Sequence, residues 1–388
     1  MSLLLTRQPV VNAQGHIIAM RLRMHANGQP PAAVVDALND LTDCWPQNER
    51  GIFVFFDELP DSRTLLDWVA PANVTVELPG APLCGSEGAG FVKALKGAGL
   101  SLCYNFDDHA SAAMENAAAF RFVGFDATSF SPAQLQTLIA RLQSRGIPLA
   151  FEVETPQEFR ACIDAGVSAA AGWFVRQPTE TPGRQLNASQ AHIVRVLNLV
   201  RKNAAVAEIE AALKLDVALS YKLLRYINSA GFGLSCEVQS FRHAVTILGY
   251  DKLNKWLSLL LVTASKDPMA PTLLHTALVR GRMMELLGRD LVEPREYDNL
   301  FITGAFSLLD LLLGVDMETA LEAMHLPEPI TEALLGAGGI YAPFLDLARA
   351  CEENDAHVLA ERAEMLGIAS ASLNRAHLAA LSFADAMA

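Results

Sequence analysis

Apolar residues in the first 178 positions fall into short runs with strand character: QPVV, HIIAMRLRM, GIFVFF, NVTVEL, LSLCYNF, FRFVGFD, IPLAFEVE and AAAGWFV. Between most of them lie stretches whose apolar positions recur every three to four residues, as in residues 31–45, 86–99 and 131–146. Strand alternating with helix predicts a mainly parallel sheet. Eight strand candidates predict a closed β/α barrel, although 1–178 is short against the roughly 250 residues typical of that fold, so a trimmed or open barrel is expected. Only Asn12 to Gly15 separate the first two runs, which forces them to pair antiparallel.

The pattern changes after residue 178. The segment RQPTETPGRQLNA (176–188) has no apolar period and reads as a linker over 179–188. Beyond it the spacings of three and four persist, with Ser189 and Asp216 as candidate helix caps. The expected organisation is α/β plus all-α: a trimmed TIM-like β/α barrel over 1–178, then an all-helical domain over 189–388. No tandem repeat is visible.

The chain has 388 residues, 51% of them hydrophobic, ample material for more than one core. No run of eighteen uncharged apolar residues occurs, and the N-terminus MSLLLTRQPV lacks the features of a signal peptide. The expectation is a cytoplasmic protein with no membrane partner. A net charge of −13 opposes binding to nucleic acid polymers or anionic lipid. The six cysteines stand apart without a CxxC pair, which argues for reduced, mostly buried thiols rather than a zinc or redox motif.

Barrel enzymes gather their catalytic groups at the C-terminal ends of the strands. The acids near those ends are Asp57, Glu58, Glu77, Asp107, Asp108, Asp126, Glu152 and Glu154. They suit either a metal centre or ordinary solvated loops and helix caps.

The order RQPVVNAQGHIIAMRLR, VTVELPG, VGFDA, FEVET and GWFVRQP resembles the EAL-type cyclic di-GMP phosphodiesterase domain. In the helical half, LSYKLLRYINSAGFG (219–233), SFRHAVTILGYDKLNKW (240–256) and GAFSLLDLLLG (304–314) resemble the HDOD domain, and the pair in this order is a bacterial signalling architecture. The resemblance implies hydrolysis of a phosphodiester by water activated between two metal ions, held by converging carboxylates and an amide. It also implies where this chain departs. The name-motif glutamate falls on Arg21 and the third-strand asparagine on Phe55. The paired aspartates fall on Tyr104 and Asn105, the lysine on Gly124, the late-strand glutamate on Phe151, and the glutamine before the last Gly-aromatic-Phe on Ala171. Gln8 with Pro9, Glu77, Asp126 and Glu154 remain. A one-residue register shift turns a strand side chain to the other face, so Glu152, next to Phe151, is not expected to replace it.

These departures predict a degenerate EAL domain with no cofactor or bound metal, hence a catalytically silent signalling protein that acts as a scaffold for other signalling proteins. The alternative is a cyclic di-GMP receptor, or a residual phosphodiesterase, using the remnant pocket of Gln8, Arg21, Glu77, Asp126 and Glu154. In that case Arg7 and Arg21 would meet phosphate while Tyr104, Phe55 or Phe151 stacked on guanine. The helical half has no His-Asp dipeptide of the kind a metal-dependent phosphohydrolase needs; Asp310 follows a leucine, and His243 and His275 are isolated. Residues 205–229 have helix-turn-helix spacing with Lys222 and Arg225 on the second helix, but the nearby acids favour packing over DNA contact. The loops 28–31 and 337–340 are candidate protein contact regions.

Overall fold

A computed structural model describes residues 3–47, 50–80, 83, 85–106, 120–143, 146–177, 188–215, 249–250, 253–254, 257–258, 268–322 and 326–387. The chain forms two compact units, one made of Met1–Thr179 with Asp346–Asp385 and the other of Glu180–Leu345 with the last three residues.

In the first unit all eight expected strand runs form strands. They are β1 (Leu4–Asn12), β2 (Ile17–His25), β3 (Gly51–Phe56), β4 (Val74–Pro79), β5 (Ser101–Phe106), β6 (Phe122–Asp126), β7 (Ile147–Phe151) and β8 (Ala169–Ala171). They close into a barrel in sequence order, so the open alternative does not apply. The tight turn forces β1 antiparallel to β2, and β1 also closes the barrel antiparallel to β8; the strands from β2 to β8 pair parallel. Helices α1 (Pro31–Asn39), α2 (Ser62–Leu66), α3 (Gly85–Gly97), α4 (Pro132–Leu142) and α5 (Pro156–Asp164) lie between strands. A capping box at Thr155, in which the threonine accepts from Glu158 N–H, starts α5.

The barrel interior is filled on the principle of large against small. Phe53, Phe151 and Leu149 pack with Ala19, Ala169, Ala171, Val10 and Cys103 in one buried cluster. Every residue of β1 but Asn12 is buried. That requires cover on both faces, and the C-terminal segment supplies the outer one. There α14 (Ala356–Met365) and, as far as Asp385, α15 (Ser370–Met387) belong to the barrel's unit. Asn374 Nδ2 donates to the Leu3 carbonyl at 2.7 Å, and the Arg7 N–H donates to the Cys351 carbonyl at 2.8 Å. Arg375 reaches Asp43 and the Asp40 carbonyl, while Arg50 pairs with Asp385. The division expected at residue 189 therefore differs from the compact units: Asp346–Asp385, read as part of the helical domain, packs with the barrel.

The second unit is helical among its described residues. It contains α6 (Ala188–Arg201), α7 (Val206–Lys214), α8 (Ala270–Gly288), α9 (Tyr297–Phe306), α10 (Leu309–Leu313), α11 (Met317–Glu322) and α12 (Glu328–Leu334); α13 (Ala342–Ala350) spans the boundary between units. Ser189 lies inside α6 rather than at its cap. The backbones of α8 and α9 meet at Gly281 and Gly304, where an added Cβ would stand 2.7 Å from the Phe301 carbonyl oxygen and 2.5 Å from Gly281 N respectively. Only glycine permits that approach. Asp216, Lys222, Arg225, His243 and residues 219–233 lie outside the described residues. No described helix is long and apolar enough to cross a membrane.

Candidate functional site

Arg21 is the centre of the barrel's polar layer. It sits opposite Gln8 in the β1–β2 ladder and beside Phe53 of β3, so its side chain enters the barrel above the apolar cluster. Its guanidinium donates to Glu77 in bidentate fashion, Nε to Oε1 at 2.8 Å and Nη2 to Oε2 at 3.0 Å. Nη1 donates to Glu152 Oε1 at 2.5 Å and to Gln8 Oε1 at 3.2 Å. Asn105 Nδ2 adds a bond to Glu77 Oε2 at 3.0 Å. Phe151 lies 4.2 Å and Phe55 5.3 Å from the guanidinium carbon. Paired carboxylates and aromatic faces are the surroundings a buried guanidinium needs.

The electrostatics follow. Burial opposes the charged form of Arg21, but Glu77 and then Glu152 outweigh it and hold the guanidinium's pKa above its usual value. Burial likewise opposes the charge on Glu152, yet the Arg21 charge and hydrogen bonds from Gln8 and Arg21 leave that carboxyl below its ordinary range. The Glu77 side chain is fully buried, and both of its oxygens accept from the Arg21 guanidinium.

Of the remnant pocket, Gln8, Arg21 and Glu77 converge. Asp126 does not: its Oδ1 accepts from the Thr128 N–H and hydroxyl at the end of β6, a local turn cap. The exposed Glu154 contributes its backbone N–H to Glu158 and its carbonyl to Gln177. Glu152 corrects the register expectation. It follows the last residue of β7 and takes φ 55°, leaving the strand's alternation and swinging its carboxylate to Arg21 and Gln8. Tyr104 is buried on the other face, against Phe120. Phe151 lies over Gly124, where an added Cβ would stand 2.1 Å from its ring. Arg7 is not open to a ligand. It alternates away from Gln8, is buried, donates to Glu352 at 2.6 Å, and meets His377 Nε2 at 2.9 Å.

The two metal ions that the resemblance implies do not fit these residues. The guanidinium of Arg21 is bonded to both nearby carboxylates, so a divalent cation would have to displace a positive charge already held by two buried bonds. Among the described residues no group of three or more His, Cys, Asp or Glu side chains is placed to hold a metal.

A cleft of about 410 Å³ opens beside this layer, lined by Gln8, Glu152, Val153, Glu154, Trp173, Arg176, Gln177 and Glu352 to Asn354. The C-terminal segment forms one wall. Glu352, fully buried, takes Arg7 on one carboxylate oxygen and Arg176 on the other at 3.1 Å, while Asn354 donates to Glu152 Oε2 at 3.1 Å. Glu352, Asn354 and His377 fall in the stretch expected to form the helical domain, yet they belong to the barrel's unit. An arginine in the middle of a buried strand was the available signal, because it demands an acid from somewhere. His377 is driven well below its usual pKa by burial and by Arg7, so it is neutral and accepts from Arg7.

Residues 186–305 match the HDOD domain. Over 211 residues the chain is 30% identical to the cyclic di-GMP phosphodiesterase CdgJ of Vibrio cholerae, covering 53% of this chain and 48% of that protein. Over 225 residues it is 27% identical to the uncharacterized protein YuxH of Bacillus subtilis, covering 57% and 55%. The chain spans about half the length of the curated relatives it matches. Among solved structures it is similar to the PaMucR phosphodiesterase in complex with c-di-GMP, at 14% identity and a TM-score of 0.37, covering 45% of this chain and 95% of that one.

Proposed function

We propose that this chain is a signalling protein of the cyclic di-GMP sphere whose barrel no longer hydrolyses the phosphodiester and whose two units act by binding other signalling proteins. The observation that carries the reading is the Arg21 guanidinium bonded to Glu77 and Glu152. A metal-activated hydroxide needs a cation-binding carboxylate pair with free oxygens. Here both carboxylates are committed to a side-chain cation, and Phe55 and Phe151 take up the space around it. The same groups oppose the receptor alternative: Arg21 is spent on carboxylates, Arg7 is buried under Glu352, and the rim of the cleft carries Glu154 and Glu353, which repel a dianionic dinucleotide. The similarity to CdgJ supports the signalling setting. Calorimetric titration of the full chain with cyclic di-GMP, and separately with magnesium and calcium, tests the proposal. It predicts no saturable heat; micromolar binding of the dinucleotide would replace the scaffold with a receptor.

A further inference from the structure

The buried guanidiniums differ in how they are satisfied. Arg7 and Arg21 each meet a carboxylate. Arg201, the last residue of α6 in the helical unit, does not. Its Nε donates to Asn254 Oδ1 at 2.9 Å, which fixes the plane of the group, and the Phe306 ring lies 5.9 Å from the guanidinium carbon. Its two outer nitrogens, Nη1 and Nη2, are sealed from water and have no hydrogen-bond partner among the described residues.

Those two nitrogens carry four of the five N–H donors of an arginine. Donors left unmade in the interior, on a group that keeps its charge, are among the costliest features a fold can carry. The position at the C-terminal end of α6 favours a cation through the helix dipole, but the dipole supplies no acceptor to the outer fork. Burial alone lowers the Arg201 pKa to about 10, in keeping with a cation that no described carboxylate compensates. The outer edge of a guanidinium matches a planar or tetrahedral oxyanion through two parallel bonds.

We propose that Arg201 anchors an oxyanion site in the helical unit, taking a carboxylate or phosphate group on Nη1 and Nη2, with Asn254 holding the guanidinium in position. The inference rests on neither catalytic silence nor binding at the barrel.

Thermal melting of the full chain, followed by far-UV circular dichroism, tests it with potassium phosphate or potassium acetate at low millimolar concentration against potassium chloride of equal ionic strength. The wild type is expected to gain a saturable rise in Tm of about 3 °C or more with at least one of the two oxyanions. A rise with acetate alone identifies a carboxylate ligand, such as an acidic side chain; a rise with phosphate alone identifies a phosphate. Arg201→Met removes the fork and is expected to abolish the oxyanion-specific rise. Arg201→Lys keeps a charge without the fork and is expected to retain less than half of it, which provides a second reading if the methionine variant fails to fold. A wild type that responds no more than to chloride, or a variant that responds as the wild type does, overturns the proposal.

Discussion

Replacing Arg21 with methionine removes the counter-charge from Glu77, a carboxylate with no exposed side-chain surface, and the larger share of that from Glu152. Breaking one partner out of a buried ion pair costs about 3–5 kcal/mol, because the remaining charge is left desolvated. For a unit of this size that corresponds to a fall in Tm of roughly 6–20 °C. Three tryptophans, Trp45, Trp68 and Trp173, stand in the barrel's unit, so intrinsic fluorescence during urea or thermal unfolding reports on it. The double variant separates an orphaned charge from lost packing. Glu77→Gln together with Arg21→Met leaves no buried unpaired charge at position 77 and keeps an acceptor for Asn105, so the double change should cost less than the sum of the singles, with a coupling of about 1–3 kcal/mol. A cost for Arg21→Met below about 1 kcal/mol, or strict additivity of the two changes, would refute the reasoning that Arg21 and Glu77 form the barrel's electrostatic centre.

Other perturbations separate the parts of this unit. Ending the chain at residue 345 removes the cover of β1 and the Glu352 carboxylate from Arg7 and Arg176, and should abolish the cooperative fluorescence transition; a truncated chain that melts like the full one would show that the segment is dispensable. Glu352→Gln leaves Arg7 buried without its anion and should destabilise by about 3–5 kcal/mol, measured in urea. His377 has a depressed folded pKa, so the unfolded chain takes up a proton that the folded one excludes as pH falls below about 6.5. Stability is therefore present in full above that pH and declines below it, at most about 1.4 kcal/mol per pH unit for one group. In His377→Gln the decline between pH 6.5 and 5 should flatten, and an unchanged slope would assign it elsewhere. Gly124→Ala drives a methyl into the Phe151 ring and should lower stability by about 1–3 kcal/mol, with Phe151→Leu in the same chain relieving part of the loss.

The strands were legible because a half-buried or buried strand leaves a short apolar run bounded by turn residues, and the antiparallel first pair followed from the length of its turn. The inward positions were legible too: Arg21, Phe55, Gly124, Phe151 and Ala171 were singled out by the resemblance, and Arg21, Phe55 and Phe151 stand around one guanidinium. Glu152 was not legible, since the positive φ that carries it out of register is a property of the loop after β7 and no glycine marks it. Nor was the assignment of Asp346–Asp385 to the barrel. An amphipathic helix shows in its sequence that one face is buried, not which surface buries it, and only Arg7, a charge inside a buried strand, hinted that an acid must come from far along the chain. Asp126 and Glu154 fit the resemblance in residue type and position, but their polar groups serve a local turn and loop.

The most direct measurement is product analysis by chromatography after long incubation of the wild-type chain with cyclic di-GMP and Mg²⁺ or Mn²⁺. With Arg21 occupying the position between Glu77 and Glu152, the dinucleotide should stay intact, with no linear product above a protein-free control. Metal-dependent linear product, rising with protein concentration and lost in Glu77→Gln, would contradict the reading that a guanidinium has replaced the metal centre.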